Sequence, residues 1–285
     1  NMGFFKEGDK GKSLLLYSGG GIGDGFMYAR FIPIIFQKFP NNKITFIIDK
    51  RTSWIYQKAF ENNKLLTIKH YSDEDIPHFD YHCNMMCLIK YLDYEYETLP
   101  FTPLFENIKI EPSLLCRKIL SKISSQKQGN KCYILNWKGC EKNNHEFKNR
   151  RMDLKNAVPL FKMENTNWII VTKELTRDES ILLDNYQNVD YYGNIIDLEQ
   201  TYIDTICIIR IIDSVISTDT SILHLSANLN VKSYALLTVG CEWRWTCDEE
   251  KTKWYPNIKL LRQKKLGDWT NVVQELTHEL KTNKV

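Results

Sequence analysis

Paired cysteines are missing from this chain. Its eight cysteines stand at positions 83, 87, 116, 132, 140, 207, 241 and 247, and no two have a Cys-x-x-Cys spacing. Zinc sites show paired ligands at tight spacing, so no metal site is expected, although His82 adjoins Cys83 and Cys87 follows four residues on. Scattered thiols of this kind read as reduced, partly buried groups of a cytoplasmic protein. Long apolar runs are missing as well. Leu14-Leu15-Leu16-Tyr17 is too short for a signal core, and the run 206–212 is broken by Arg210 and closed by Asp213, which excludes an integral membrane segment. A large charge excess is also absent: a formal net charge of +3 does not by itself argue for nucleic acid. No internal repeat of the 20–50-residue kind is visible.

What is present is an ordinary globular composition, 43% hydrophobic and 26% charged, over 285 residues, enough for one large or two average domains. Residues 13–17 read as a buried strand. The Gly-rich turn 18–25 follows, then an amphipathic helix over 26–39 that Pro33 is expected to kink. Residues 43–48 and 66–68 read as further strands, and 80–83 as the end of another, alternating with helical patterns as in βαβ units. The stretch 121–131 is polar throughout and reads as a linker. The pattern then restarts, with strands at 132–136, 168–172, 189–192, 214–217 and 233–237. A final amphipathic helix over 268–280 carries Val272, Val273, Leu276 and Leu280. The expectation is an α/β chain of two successive sheets: a first lobe over 1–125, a second over 131–267 and a C-terminal helix over 268–285. A ligand belongs at the carboxyl ends of the strands.

The most informative segment is Ser217-Thr218-Asp219-Thr220-Ser221-Ile222-Leu223-His224. A β-branched strand runs into Asp-Thr-Ser and a helix pattern begins at once. Asp219 or Thr220 can cap that helix, and a helix N-terminus after a strand is suited to phosphate. His224 lies about one turn further in, on the face toward the strand end. Thr220 and Ser221 offer donors to the same phosphates. The turn Gly19-Gly20-Gly21-Ile22-Gly23-Asp24 lacks the G-x-G-x-x-G spacing of a dinucleotide fingerprint. Its plain reading is a tight turn needing positive φ, with Asp24 as a helix cap. Its functional reading lets a substrate approach the backbone at Gly21 and Gly23 while Asp24 projects into the cleft.

The chain resembles the glycosyltransferase domain of bacterial tetratricopeptide-repeat proteins, relatives of the ADP-heptose heptosyltransferases and, more distantly, of protein O-GlcNAc transferases. The blocks that carry this are Leu15-Leu16-Tyr17 with Gly21-Ile22-Gly23-Asp24, and Phe79-Asp80-Tyr81-His82-Cys83. Lys148-Asn149-Arg150 with Leu154, Asp204-Thr205 with Ile212-Asp213, and 219–225 follow in order. Glu242-Trp243-Arg244-Trp245, Trp254-Tyr255-Pro256, Arg262-Gln263 and Gly267-Asp268-Trp269 complete the set. The repeats of the larger relatives are absent here, so no acceptor-docking role of theirs carries over.

The resemblance implies a GT-B fold, two Rossmann-like lobes with a cleft between them. It implies sugar transfer from a nucleotide-diphosphate donor to an acceptor hydroxyl, inverting, with no cofactor and no metal required. It assigns Asp24 as catalytic base and His224 to the leaving diphosphate, with Asp219 on sugar hydroxyls. Arg150 is the preferred cation for the pyrophosphate, Lys138, Lys148 and Arg151 being reserves. Asp204-Thr205 begins a helix and reads first as its N-cap, while the family context puts Thr205 near ribose or base; by topology alone, Thr172-Lys173-Glu174 at the end of the strand after Trp168 borders the base pocket. The Trp243, Trp245, Trp254 and Tyr255 aromatics are expected to pack against the C-terminal helix, with Arg244 stacked on one of them. The acceptor stays open among glycan, protein and modified DNA. Two other classes remain: a non-catalytic nucleotide-sugar or glycan-binding module, and a phage-type DNA-modifying glycosyltransferase, for which 148–151 and 262–265 are the basic stretches.

Overall fold

A computed structural model describes residues 3–139, 150–246 and 250–282. The chain divides into two compact units, Asn1–Lys109 and Ile110–Val285. Among the described residues no helix is long and apolar enough to cross a membrane, and the described cysteines are all free thiols.

The first unit is built on four parallel strands, β1 (Ser13–Tyr17), β2 (Lys43–Ile48), β3 (Leu66–His70) and β4 (Tyr81–Asn84), in the order β3-β2-β1-β4. Leu14 and Leu16 of β1 are fully buried, with Phe26 and Phe46 in the same core. The single helix expected over 26–39 is two helices, Ile22–Tyr28 and Phe31–Lys38. Pro33 is the reason: it has no N–H to give to the carbonyl of Ala29, and its ring would crowd that carbonyl. Ile32 N–H takes the Ala29 carbonyl instead, at 3.0 Å, and the chain turns there.

The second unit carries a seven-stranded sheet in the order β10-β11-β9-β8-β5-β6-β7. Its strands are β5 (Lys131–Asn136), β6 (Thr166–Ile170), β7 (Val189–Tyr191), β8 (Ser214–Thr218), β9 (Ser233–Leu237), β10 (Lys251–Thr252) and β11 (Tyr255–Arg262). All pairs are parallel except β10 with β11. β6, β8 and β9 are buried along their whole length, as strands covered on both faces must be. The expected polar linker at 121–131 is a helix, Leu114–Gln126, followed by the start of β5. Cys116, Ile119 and Ile123 form its buried stripe while Ser, Lys and Gln face water, and Ser113 Oγ caps it by accepting the Cys116 N–H at 3.0 Å. β10 and β11 were not legible as strands, because Pro256 and Asn257 interrupt the apolar pattern. The ladder with β9 begins only at Ile258, so Pro256 costs no hydrogen bond there. The last helix, Thr270–Thr282, buries Val272, Val273, Leu276 and Leu280. It joins an apolar cluster with Trp137, Trp168 and Trp269, and the Trp243–Tyr255 aromatics are not part of that cluster.

Candidate functional site

In the second sheet the chain leaves β5 toward β6 on one side and β8 toward β9 on the other. The strand order reverses between β5 and β8, and ligands of open parallel sheets bind outside the carboxyl ends of the strands at such a point. Asn136 of β5 stands opposite Ser217 of β8. Its Nδ2 lies 3.1 Å from each of Ser217 Oγ, Thr220 Oγ1 and the Lys138 carbonyl, and its Oδ1 accepts Thr172 Oγ1–H at 2.9 Å. A fully used amide therefore welds the ends of β5, β6 and β8 into one platform.

The helix Ser221–Asn228 rises from that platform. Thr220 holds its N-cap position in an extended conformation, but its own side chain does not cap the helix. The Thr220 hydroxyl is taken by Asn136 and Ser217, and the Ser221 hydroxyl lies 2.6 Å from Tyr202 Oη. What this helix start offers an anion is therefore its backbone N–H groups and its dipole.

Charged groups converge beside it on Asp219, which is buried. Arg150 Nη1 lies 3.4 Å and Arg244 Nη2 3.9 Å from Asp219 Oδ2, and His224 Nε2 lies 3.8 Å from Oδ1. Among the described residues Asp219 Oδ2 has no hydrogen-bond partner at bonding geometry. Arg150 also pairs with Glu242, Nη2 to Oε1 at 2.6 Å. His224 is 2% exposed, so its ring orientation is fixed by the protein. Nδ1 lies 2.8 Å from Tyr255 Oη and the ring stacks on Trp245 at 5.6 Å between centroids. When Tyr255 donates, the proton on Nε2 is turned toward Asp219.

The structure thus brings Arg150, Asp219, Thr220, Ser221 and His224 together. Lys138 and Thr205 are held elsewhere. Lys138 Nζ is buried on Glu179 at 2.6 Å, and the same carboxylate takes Trp137 Nε1, Arg151 Nη2 and the Thr176 N–H. Thr205 is 2% exposed on the helix Ile203–Ile209, where it donates to Asp197 at 2.6 Å. Lys173 is tied to Asp197 as well, at 2.8 Å. Asp204 is not the helix cap, since Tyr202 occupies that position; its buried carboxylate accepts the Asp197 and Ser113 N–H groups. Lys148 and Asn149 lie outside the described residues. The aromatics expected against the C-terminal helix instead include the Trp245 and Tyr255 rings, which form a three-ring cluster with His224, while Trp243 stays 51% exposed, edge-on to Trp254. Sequence reasoning missed Glu242 and Glu179. The first was visible only as part of a motif, and the second only as a capping box with Thr176.

In the first unit, Asp24 lies at the carboxyl end of β1. Its Oδ2 accepts the Gly21 N–H at 2.8 Å, so it closes the start of the helix Ile22–Tyr28. None of Gly19, Gly20, Gly21, Gly23 and Gly25 has positive φ, contrary to the plain reading of the turn. The demand is for space: a Cβ on Gly20 would collide with the Asp24 carboxylate, and one on Gly19 with the Asn84 amide.

Among the described residues no group of three or more His, Cys, Asp or Glu side chains is placed to hold a metal ion. No known family model matches the chain, and no curated protein sequence does. Solved structures do. A glycosyl transferase family 9 protein from Veillonella parvula DSM 2008 is 11% identical with a TM-score of 0.54, over 97% of this chain and 90% of that one. ADP-heptose lipopolysaccharide heptosyltransferase II of E. coli is 10% identical with a TM-score of 0.57, over 96% and 100%. E. coli heptosyltransferase WaaC, solved with ADP, is 9% identical with a TM-score of 0.55, over 95% and 99%. At these identities the likeness is one of fold: a mixed α/β chain with parallel sheets, consistent with a GT-B-like glycosyltransferase fold.

Proposed function

We propose that the chain is a glycosyltransferase that moves a sugar from a nucleoside-diphosphate donor to an acceptor hydroxyl. The observation that carries this reading is the convergence of Arg150 and His224 on Asp219, beside a helix start that the Thr220 side chain leaves uncapped. A diphosphate leaving group carries charge that grows as its bond to the sugar breaks. Fixed donors already aimed at that charge lower the barrier without reorganising. The backbone N–H groups of 221 and 222 and the Arg150 guanidinium supply them, and this is why no metal is called for. The likeness in fold to heptosyltransferases supports the reading, one of which was solved with ADP. The kinship with tetratricopeptide-repeat glycosyltransferases and O-GlcNAc transferases rests on the sequence motifs alone.

In this reading Asp24 is the general base. It takes the proton of the acceptor hydroxyl as the oxygen attacks the anomeric carbon, and the bond from that carbon to the diphosphate oxygen breaks in the same step. A single displacement inverts the anomeric configuration. His224 Nε2–H serves the sugar or the phosphate next to Asp219, and Asp219 Oδ2 accepts from a sugar hydroxyl. The test is donor turnover, measured as release of nucleoside diphosphate over a panel of nucleotide sugars, in the wild type, Asp24→Asn and His224→Ala. Both variants are expected to lose at least about 10²-fold in kcat, the lower end of what positioned acid–base and charge-stabilising groups contribute. Unchanged turnover in both would remove the assignment. Tight binding of a nucleotide sugar with neither transfer nor hydrolysis would mark a binding module instead.

A further inference from the structure

Glu179 touches nothing that the proposed reaction uses, yet its carboxylate accepts four hydrogen bonds from groups beside the site. It is 6% exposed. Oε1 accepts from Trp137 Nε1 at 2.8 Å and Arg151 Nη2 at 3.3 Å, and Oε2 from Lys138 Nζ at 2.6 Å and the Thr176 N–H at 2.8 Å. Its acceptor capacity is used within the protein, which leaves none for a ligand. Burial pushes its carboxyl pKa up, but the hydrogen bonds from Lys138, Thr176 and Trp137 outweigh that and hold it below the ordinary value.

The two cations it holds are the neighbours of the site on either side. Lys138 follows Asn136 by two residues, and its carbonyl accepts the Asn136 amide that also fixes Thr220. Arg151 follows Arg150, which reaches Asp219 and Glu242. One carboxylate on the helix Arg177–Asp184 thereby fixes the chain just after β5 and again at 151. Stability alone does not call for such a device, because well-packed apolar groups often do as well as a buried ion pair. What a bonded charge adds is register, and here it sets the register of Arg150 against the platform of Asn136 and Thr220.

Resting on the diphosphate reading above, we propose that Glu179 is a positioning residue for anion binding, holding Arg150 and the 217–220 turn in the relative placement a diphosphate requires. The experiment is calorimetric binding of inorganic pyrophosphate and of ADP to the full chain. Glu179→Gln keeps the size and the acceptor oxygen but cannot hold Lys138 and Arg151 together. It is expected to weaken both ligands about tenfold. Leu276→Ala, in the core far along the C-terminal helix sequence, is the stability control and is expected to lower Tm with no change in affinity. Should Glu179→Gln fail to fold, Arg151→Ala removes a single arm at a half-exposed residue and is expected to weaken pyrophosphate about threefold. Its charge control is Lys155→Ala, expected to have less effect. Wild-type affinity in Glu179→Gln overturns the proposal. So does equal weakening in Leu276→Ala, or equal weakening by Arg151→Ala and Lys155→Ala. If the wild-type chain binds neither pyrophosphate nor any nucleoside diphosphate, the site reading itself fails, and the proposal with it. That outcome is distinct from intact wild-type binding that Glu179→Gln leaves unchanged.

Discussion

Two charged clusters sit at the carboxyl end of the second sheet, and they differ in how their charges are satisfied. Around Glu179, one carboxylate is met by Lys138 at 2.6 Å, Arg151 at 3.3 Å, an indole N–H and a backbone N–H. Around Asp219, the partners stand off: Arg150 at 3.4 Å, His224 at 3.8 Å and Arg244 at 3.9 Å, with Oδ2 lacking a hydrogen bond among the described residues. Both carboxylates are buried to nearly the same degree, so burial does not separate them. Satisfaction does. A buried charge that is fully bonded has nothing left to give a ligand and acts on structure. A buried charge with loose partners is costly as it stands, and a ligand that completes its bonds recovers that cost on binding. The comparison sets a structural role for the first cluster against the ligand-binding role proposed for the second.

The largest expected effect that would break this division is on stability. Lys138→Ala leaves Glu179 buried without its closest cation and is expected to cost about 3–5 kcal/mol of unfolding free energy, measured by urea denaturation. The same pair sets a pH dependence. Because the folded pKa of Glu179 lies below its ordinary value of 4.5, its contribution is present above that value and is lost as pH falls through the folded pKa. The stability gap between wild type and Glu179→Gln should therefore be full at pH 7 and shrink in acid. A gap that widens on acidification would contradict the direction of the shift.

Next comes activity. Arg150→Ala is expected to lower kcat/KM for the donor by about 10²–10³-fold, the usual effect of deleting one fixed charge-stabilising donor, with little change in Tm because Arg150 is partly exposed. Steady-state kinetics with a nucleotide sugar check it, and a stability loss matching that of Lys138→Ala would erase the contrast between the clusters. Tyr255→Phe removes one buried hydrogen bond to His224 and should cost about 1 kcal/mol of stability. A fall in kcat of similar size is expected as the imidazole loses its orienting partner. The smallest effect sharpens the contrast in the opposite direction. Glu242→Gln frees Arg150 from a competing carboxylate and should tighten pyrophosphate binding about two- to fivefold, less than 1 kcal/mol for a rim charge. Weaker binding would show that Glu242 aims Arg150 rather than competing for it.

Much of the fold was legible because it is local. β1, β2, β5, β8 and β9 are short apolar runs closed by polar turns, and their limits fall within a residue or two of the reading. The failures have local causes too. Residues 121–126 look polar because a helix half in water shows its Ser, Lys and Gln, while Ile119 and Ile123 are spaced by four and not by two. Pro256 hides β11 because its effect depends on where pairing with β9 begins, and that is a tertiary fact. The site follows the same rule. His224 and Asp219 could be named from a strand–helix junction, since both lie on one short segment. Lys138 and Thr205 were chosen for type and position, and no local pattern disclosed that Glu179 and Asp197 had claimed them.

By itself the sequence determined the α/β alternation, the turn at Asp24 and the junction that carries Asp219 and His224. Each follows from side-chain periodicity and backbone preference within about ten residues. Only the tertiary structure decided which charges meet. Arg150 finds Glu242 across 92 positions, and Lys138 finds Glu179 across 41. An ion pair is a matter of ångströms in space, and sequence distance carries no record of it until the sheet has brought the strand ends together.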